Sequence, residues 1–180
     1  SSGCSKNTYF FHHGVASGDP LNDRVILWTR VTPQQAGPLE AILEISENKN
    51  FSSVIFSKKL QTSSLSDYTI KYDFLAKQYC DSDKGFFYRF RAGNEISEIG
   101  KTRTFSENTI AAKIGIFSCS NFPAGYFNAY QAAAEKNNLD LWLHLGDYLY
   151  EYPMGGYATD KAEKLGRVPE PKHEMITLSD

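Results

Sequence analysis

An antiparallel β-sandwich followed by the opening of an α/β domain is the fold class that this sequence predicts, and two observations carry it. Between Arg24 and about Phe105, short runs rich in β-branched and aromatic residues succeed one another, separated by turn residues. After Phe105 the pattern changes to a compact apolar strand, an alanine-rich stretch and a second compact strand within about 35 residues, the spacing of a right-handed parallel strand-helix-strand unit.

The strands of the first half are read in order from "RVILWTRV", "LEAILEIS", "SVIFSKKLQ", "YTIKYDFLA", "GFFYRFRAG" and "EIGKTRTF". Alternation is clear in Tyr68, Ile70, Tyr72 and Phe74 and again in Phe86, Tyr88 and Phe90, the period of a strand with one buried face. About six or seven such strands make a small antiparallel sandwich. The polar stretch "SENTIAA", Ser106 to Ala112, has no periodicity and marks a boundary. The sandwich domain therefore spans 1–106, and the α/β part begins at 112 and runs to 180.

In that second part "KIGIFSCS" is a strand, "GYFNAYQAAAEKNN" a helix with Phe127, Tyr130 and Ala134 on one face, and "LDLWLHLGD" a strand. From Glu151 onward Gly, Pro and charge replace periodicity, until "HEMITLSD" reads as the start of a helix with Thr177 or Ser179 near its cap. One strand-helix-strand unit cannot close a core, so the expectation is an incomplete domain in a truncated chain.

Composition excludes several partners. The 180 residues hold 41% hydrophobic and 14% aromatic residues, enough for a core of ordinary size, and 19 Lys plus Arg against 21 Asp plus Glu leave a formal net charge of -2. There is no basic field to collect nucleic acid, and no apolar stretch reaches the roughly 20 residues of a membrane-spanning helix. The three cysteines, Cys4, Cys80 and Cys119, show neither zinc-ribbon nor disulfide-framework spacing. "SSGCS" leaves two readings open: the lipidated cysteine of an exported bacterial lipoprotein, with Ser1 standing where such signals usually carry Leu, or simply a flexible start.

Ligands of open parallel sheets bind beyond the carboxyl ends of the strands. Cys119 closes the first strand of the second half and Asp147 the second, so parallel pairing would bring thiol and carboxylate to one edge, with Gly146 easing the turn. Each residue also has an ordinary reading. A cysteine at a strand end serves as a small hydrophobe, Gly-Asp as a turn, Tyr148, Tyr150 and Tyr152 as packing, and His144 as a hydrogen-bonded core histidine.

Several separated stretches decide between these readings. "GVASGDPLNDRVILWTRVTP", "FFYRFRAG" and "SEIGKTRTF" resemble the N-terminal domain of the PhoD-type alkaline phosphatases, an immunoglobulin- or fibronectin type III-like sandwich. "FSCSNFPAGYFNAY", "LWLHLGDYLYEY" and "HEMITLSD" resemble the first segments of that family's metallophosphatase domain. The resemblance implies a calcineurin-like phosphoesterase with ferric iron and calcium, hydrolysing phosphate mono- or diesters by metal-activated water outside the cytoplasm, in the periplasm or beyond. It implies that Cys119 and Tyr150 ligate iron and that Asp147 is shared by the two metals, while Tyr148 is not a ligand.

Thiolate and phenolate suit a trivalent iron, and oxygen ligands suit calcium. The family's remaining ligands lie beyond Asp180; His173 belongs to the segment after the strand, and His12 and His13 are expected to face solvent. A noncatalytic extracellular binding module built on the sandwich is the alternative from another class, separated from the enzyme by metal content. A thiol redox protein built on Cys119 lacks the partner cysteine.

With part of the ligand set outside it, the 180-residue chain by itself is expected to show no appreciable turnover of a chromogenic phosphate monoester after metal loading. Rates like those of an intact family member would refute that expectation.

Overall fold

The computed structural model describes residues 9–81, 84–177 and 179–180. They form two compact units, Ser1–Thr109 and Ile110–Asp180.

Among the described residues the first unit has ten strands: β1 (Tyr9–Phe10), β2 (Val15–Gly18), β3 (Val25–Arg30), β4 (Thr32–Pro33), β5 (Leu39–Ser46), β6 (Phe56–Thr62), β7 (Thr69–Phe74), β8 (Phe86–Ala92), β9 (Glu95–Ile96) and β10 (Gly100–Thr102). One sheet runs β2-β3-β7 and the other β10-β8-β5-β6, with β9 returning on β8 and the short pair β1-β4 apart. All of these pairings are antiparallel. Consecutive long strands repeatedly change sheets, from β3 to β5, from β6 to β7 and from β7 to β8, which makes the unit a sandwich and not a meander.

Period-two patterning builds its core. Leu39, Ala41, Leu43 and Ile45 of β5 and Phe86, Tyr88, Phe90 and Ala92 of β8 meet Val25 and Leu27 of β3 and Ile70 and Phe74 of β7, all buried. Phe74 is clasped by Phe56 and Phe86, with ring centroids 5.1 and 5.4 Å away. Tyr68 and Tyr72, the other members of the alternating set, pack at its margin.

Reading strands only from Arg24 onward misses β2. Its Ala-Ser-Gly sequence has little strand propensity and no apolar alternation. Register with β3, from Val15 opposite Thr29 to Gly18 opposite Ile26, makes it a strand, and Thr29 Oγ1 donates to the Gly14 carbonyl at 2.9 Å.

One carboxylate lies almost buried on the outer face of β5. Glu44 sits opposite Arg89 of β8 and accepts from Arg89 Nε at 2.7 Å and from Arg91 at 3.0 Å, with the Arg89 guanidinium 4.1 Å from the centre of the Phe51 ring. Burial pushes the Glu44 carboxyl up, but the two guanidinium groups outweigh it and hold the net value below that of an ordinary glutamate.

The second unit consists of β11 (Ile114–Phe117), α1 (Asn128–Lys136), β12 (Leu141–His144) and the one-turn helix α2 (Ala162–Leu165), with a short 3-10 turn at Phe122–Ala124. β11 and β12 pair in parallel, from Ile114 opposite Leu141 to Phe117 opposite His144. α1 connects them. It closes with Asn137 in the left-handed region, φ 45°, its N–H donating to the carbonyls of Ala133 and Ala134. Tyr130 of α1 packs on Phe117, ring centroids 4.8 Å apart, which covers one face of the strand pair.

The opposite face of that pair is apolar and open among the described residues: Ile116 is 64% exposed and Leu143 43%. Near the other end of the unit, Asp180 Oδ2 accepts from the Thr177 N–H at 2.8 Å and the Ile176 N–H at 3.0 Å. That is the backward reach of an acidic side chain seen in helix capping boxes.

The Glu44 cluster predicts an acid-dependent stability. A depressed carboxyl pKa contributes stability above the unfolded-state value, about 4.3, that is lost as pH falls through the folded value. Glu44→Gln should therefore cost about 1.5–3 kcal/mol at pH 7, and the gap between variant and parent should narrow as pH falls below the unfolded-state value and through the lowered folded one. Thermal melts across that range check this; a gap independent of pH would mean that the charge contributes nothing.

Candidate functional site

Beyond the last paired residues of β11 and β12 the two chains stay bonded. Leu145 N–H donates to the Phe117 carbonyl at 2.8 Å, Cys119 N–H to Gly146 at 3.1 Å and Ser120 N–H to Asp147 at 2.8 Å. These bonds fasten the carboxyl ends of both strands together and turn them off the sheet. Three residues there take left-handed backbone: Cys119 at φ 61°, Gly146 at φ 119° and Asp147 at φ 50°. Left-handed backbone at two non-glycine residues is a local cost, and such costs gather at functional sites.

The consequence is that two groups, the thiol of Cys119 and the phenol of Tyr150, meet on one carboxylate oxygen of Asp147. Cys119 Sγ lies 3.8 Å from Asp147 Oδ2 and Tyr150 Oη donates to the same Oδ2 at 3.2 Å. Cys119 and Asp147 are exposed and Tyr150 is half-buried. Hydrogen bonding with Cys119 first, and the negative charge of Asp147 with it, push the Tyr150 phenol above its ordinary value. Among the described residues no three His, Cys, Asp or Glu side chains cluster, so the third donor of this group is a phenol.

The neighbouring tyrosines have different surroundings. Tyr152 and Tyr157 each lie with ring centroids 6.4 Å from Tyr150, whereas Tyr148 turns its ring edge-on to His144 at 5.1 Å and is 71% exposed. His144 is half-buried and hydrogen-bonded. His173 lies 3.6 Å from Asp180, and His12 and His13 are exposed on the sandwich unit, with His13 Nε2 3.1 Å from Arg30. Burial pushes the Cys80 thiol up to about 11, which keeps it protonated and unreactive. Cys4 lies outside the described residues.

Sequence reasoning missed two features here. Arg167 stacks on Phe122 at 3.8 Å and Phe127 at 4.6 Å while its Nε donates to the Phe122 carbonyl at 2.6 Å, pinning the segment after Cys119 against α2. No periodicity marks an arginine in a Gly-rich loop. The second is the association of Ser120, Tyr130 and His144, whose hydroxyl and ring atoms come within hydrogen-bonding distance of one another. A cavity of about 870 Å³ opens beside them, bordered also by Trp142, Tyr150 and Tyr152.

Comparison with known proteins gives this arrangement a family. Residues 2–106 match the PhoD-like phosphatase N-terminal domain and residues 114–180 the PhoD-like phosphatase domain. Alkaline phosphatase D of Bacillus subtilis (strain 168) is 34% identical over 189 residues, covering 97% of this chain and 30% of that protein. A solved structure of PhoD superposes with a TM-score of 0.81 at 30% identity, covering 99% of this chain and 34% of the other. The chain belongs to the PhoD-like phosphatase family, and it spans about a third of the length of these relatives.

Gly146 offers a test of the strand-end geometry. A Cβ added there would meet nothing within 4 Å, so Gly146→Ala carries only the backbone penalty of its positive φ, about 1–3 kcal/mol. The variant should melt lower and lose amide protection at Cys119, whose N–H bonds to the Gly146 carbonyl. Unchanged hydrogen exchange at Cys119 would mean that the turn tolerates a relaxed conformation.

Proposed function

We propose that this chain supplies the N-terminal part of an exported phosphate-ester hydrolase, with residues 1–106 as a sandwich domain and 112–180 as the first part of the catalytic domain. Cys119, Asp147 and Tyr150 are its contribution to a metal centre. The observation that carries this reading is the convergence of the Cys119 thiol and the Tyr150 phenol on the Asp147 carboxylate at the carboxyl ends of two parallel strands, in a chain of this family.

The donor set suits the group. Thiolate and phenolate are anionic donors matched to ferric iron, and a carboxylate has a second oxygen with which to reach a harder ion such as calcium. When bound, such a metal pair supplies Lewis-acid charge for the phosphate oxygens and an activated water. The chain's own residues do the rest. Asp147 presents its carboxylate and Cys119 its sulfur from a backbone held by crossed hydrogen bonds, and Tyr150 is braced by the rings of Tyr152 and Tyr157. The substrate is a phosphate mono- or diester. Membership of a phosphatase family supports that class.

Tyr150→Phe in the full-length protein tests the assignment. Phenolate bound to ferric iron absorbs visible light, so the iron-loaded parent should be coloured. The variant should lose or shift that band and lose phosphate-ester turnover, while its metal-free melting temperature stays close to the parent's. Tyr148→Phe is the control and should keep both colour and turnover. A coloured, active Tyr150→Phe protein would overturn the assignment, and a bleached Tyr148→Phe protein would move the ligand to the other tyrosine.

A further inference from the structure

Directly behind the strand ends that carry Cys119 and Asp147 lies a polar triangle. Ser120 Oγ and Tyr130 Oη each stand 2.8 Å from a single atom, His144 Nε2, and the two hydroxyls are also in contact with each other. The three groups come from three places in the chain: the residue after Cys119, the first turn of α1 and the last residue of β12. All three are half-buried. Tyr130 is itself fixed by the rings of Phe117 and Phe127, at 4.8 and 5.5 Å.

The other ring nitrogen indicates how protons are arranged. His144 Nδ1 receives the Gly146 N–H at 3.4 Å, so Nδ1 is the acceptor and the ring hydrogen sits on Nε2. Nε2–H then donates to the two hydroxyls, and one hydroxyl donates to the other. His144 thereby touches both halves of the strand-end turn. Through Ser120 Oγ it holds the residue whose N–H bonds to the Asp147 carbonyl, and through Nδ1 it holds Gly146, whose carbonyl accepts from Cys119.

We infer that His144 is a positioning residue: its Nε2–H, bonded to Ser120 and Tyr130, sets the left-handed turns that aim Cys119 and Asp147 at a common point. The inference rests on the proposed metal centre for its consequence, but its structural content stands without one. Left-handed φ at Cys119 and Asp147 is unfavourable for non-glycine residues and persists only where surrounding bonds over-determine it. The triangle and the two backbone bonds are those bonds. A side chain whose role is to orient donors from behind is expected to alter the donors' geometry when lost, while touching neither metal nor substrate.

His144→Phe and His144→Gln separate a positioning role from simple packing. Phe keeps a ring of similar size and removes both nitrogens, whereas Gln carries an amide N–H where Nε2–H stood. Amide hydrogen exchange in the metal-free, full-length protein reads the turn itself. Exchange at Cys119 and Ser120 should speed at least tenfold in His144→Phe and stay within about threefold of the parent in His144→Gln, both measured against the β11 amides as reference. In the iron-loaded protein the visible band should shift or weaken in the Phe variant and return in the Gln variant. Parent-like exchange in His144→Phe, or equal loss in both variants, would overturn the inference. If the parent shows no band at all, the metal reading fails, and the exchange pattern still decides the role of His144. Should His144→Phe not fold, Ser120→Ala takes its place, with the same faster exchange at Cys119 expected and parent-like exchange counting against the triangle.

Discussion

Parallel pairing of β11 with β12 is the constraint on which the candidate site depends. In a parallel pair both strands reach the same edge at their carboxyl ends, so residues 28 positions apart in the chain, Cys119 and Asp147, leave the sheet side by side. An antiparallel pair of the same two sequences would send them to opposite edges. The crossover through α1 makes the parallel arrangement possible, and the bonds from Cys119 to Gly146 and from Ser120 to Asp147 carry it past the last residue of the ladder. Tyr150 needs no third strand: the turn after Asp147 returns its phenol to the same carboxylate oxygen.

The two units solve the problem of burial differently. The sandwich closes on itself, with aromatic and branched residues from two sheets excluding water, and it keeps the nearly buried carboxylate of Glu44 by giving it two guanidinium partners. The second unit has one helix on one face of a two-stranded sheet, and apolar residues such as Ile116 and Leu145 stand open on the described surface. Its local order rests instead on specific contacts: the Arg167 stack, the capping of Asn137 and the hydrogen bonds behind the strand ends. The Arg167 stack and the hydrogen bonds behind the strand ends lie around the segment between Cys119 and Phe127, beside the donors, which links the rigidity of that segment to the site.

Much of the sandwich was legible because one-sided burial writes itself into a sequence as alternation. Phe86, Tyr88 and Phe90 point inward in the structure as their spacing requires. β2 was not legible, since Ala, Ser and Gly carry no such signal and the strand exists through backbone pairing with β3. The parallel unit was legible from strand length and the alanines of α1, and the edge shared by Cys119 and Asp147 followed from topology alone. Arg167 and the Ser120-Tyr130-His144 triangle were not, because their partners are set by three-dimensional proximity and by hydrogen-bond geometry, neither of which has a period.

By itself, then, the sequence determined the long strands of the sandwich from Arg24 onward, the strand-helix-strand unit after it and which chemically capable residues end the two parallel strands, because those properties depend on local patterning and on chain connectivity. The tertiary structure decided the rest. It set the left-handed turns at Cys119 and Asp147, the hydrogen bond of Tyr150 Oη to Asp147 Oδ2, and the bonding of His144 to two hydroxyls. Each depends on the directions of side chains and backbone groups a few ångströms apart, which local patterning does not encode.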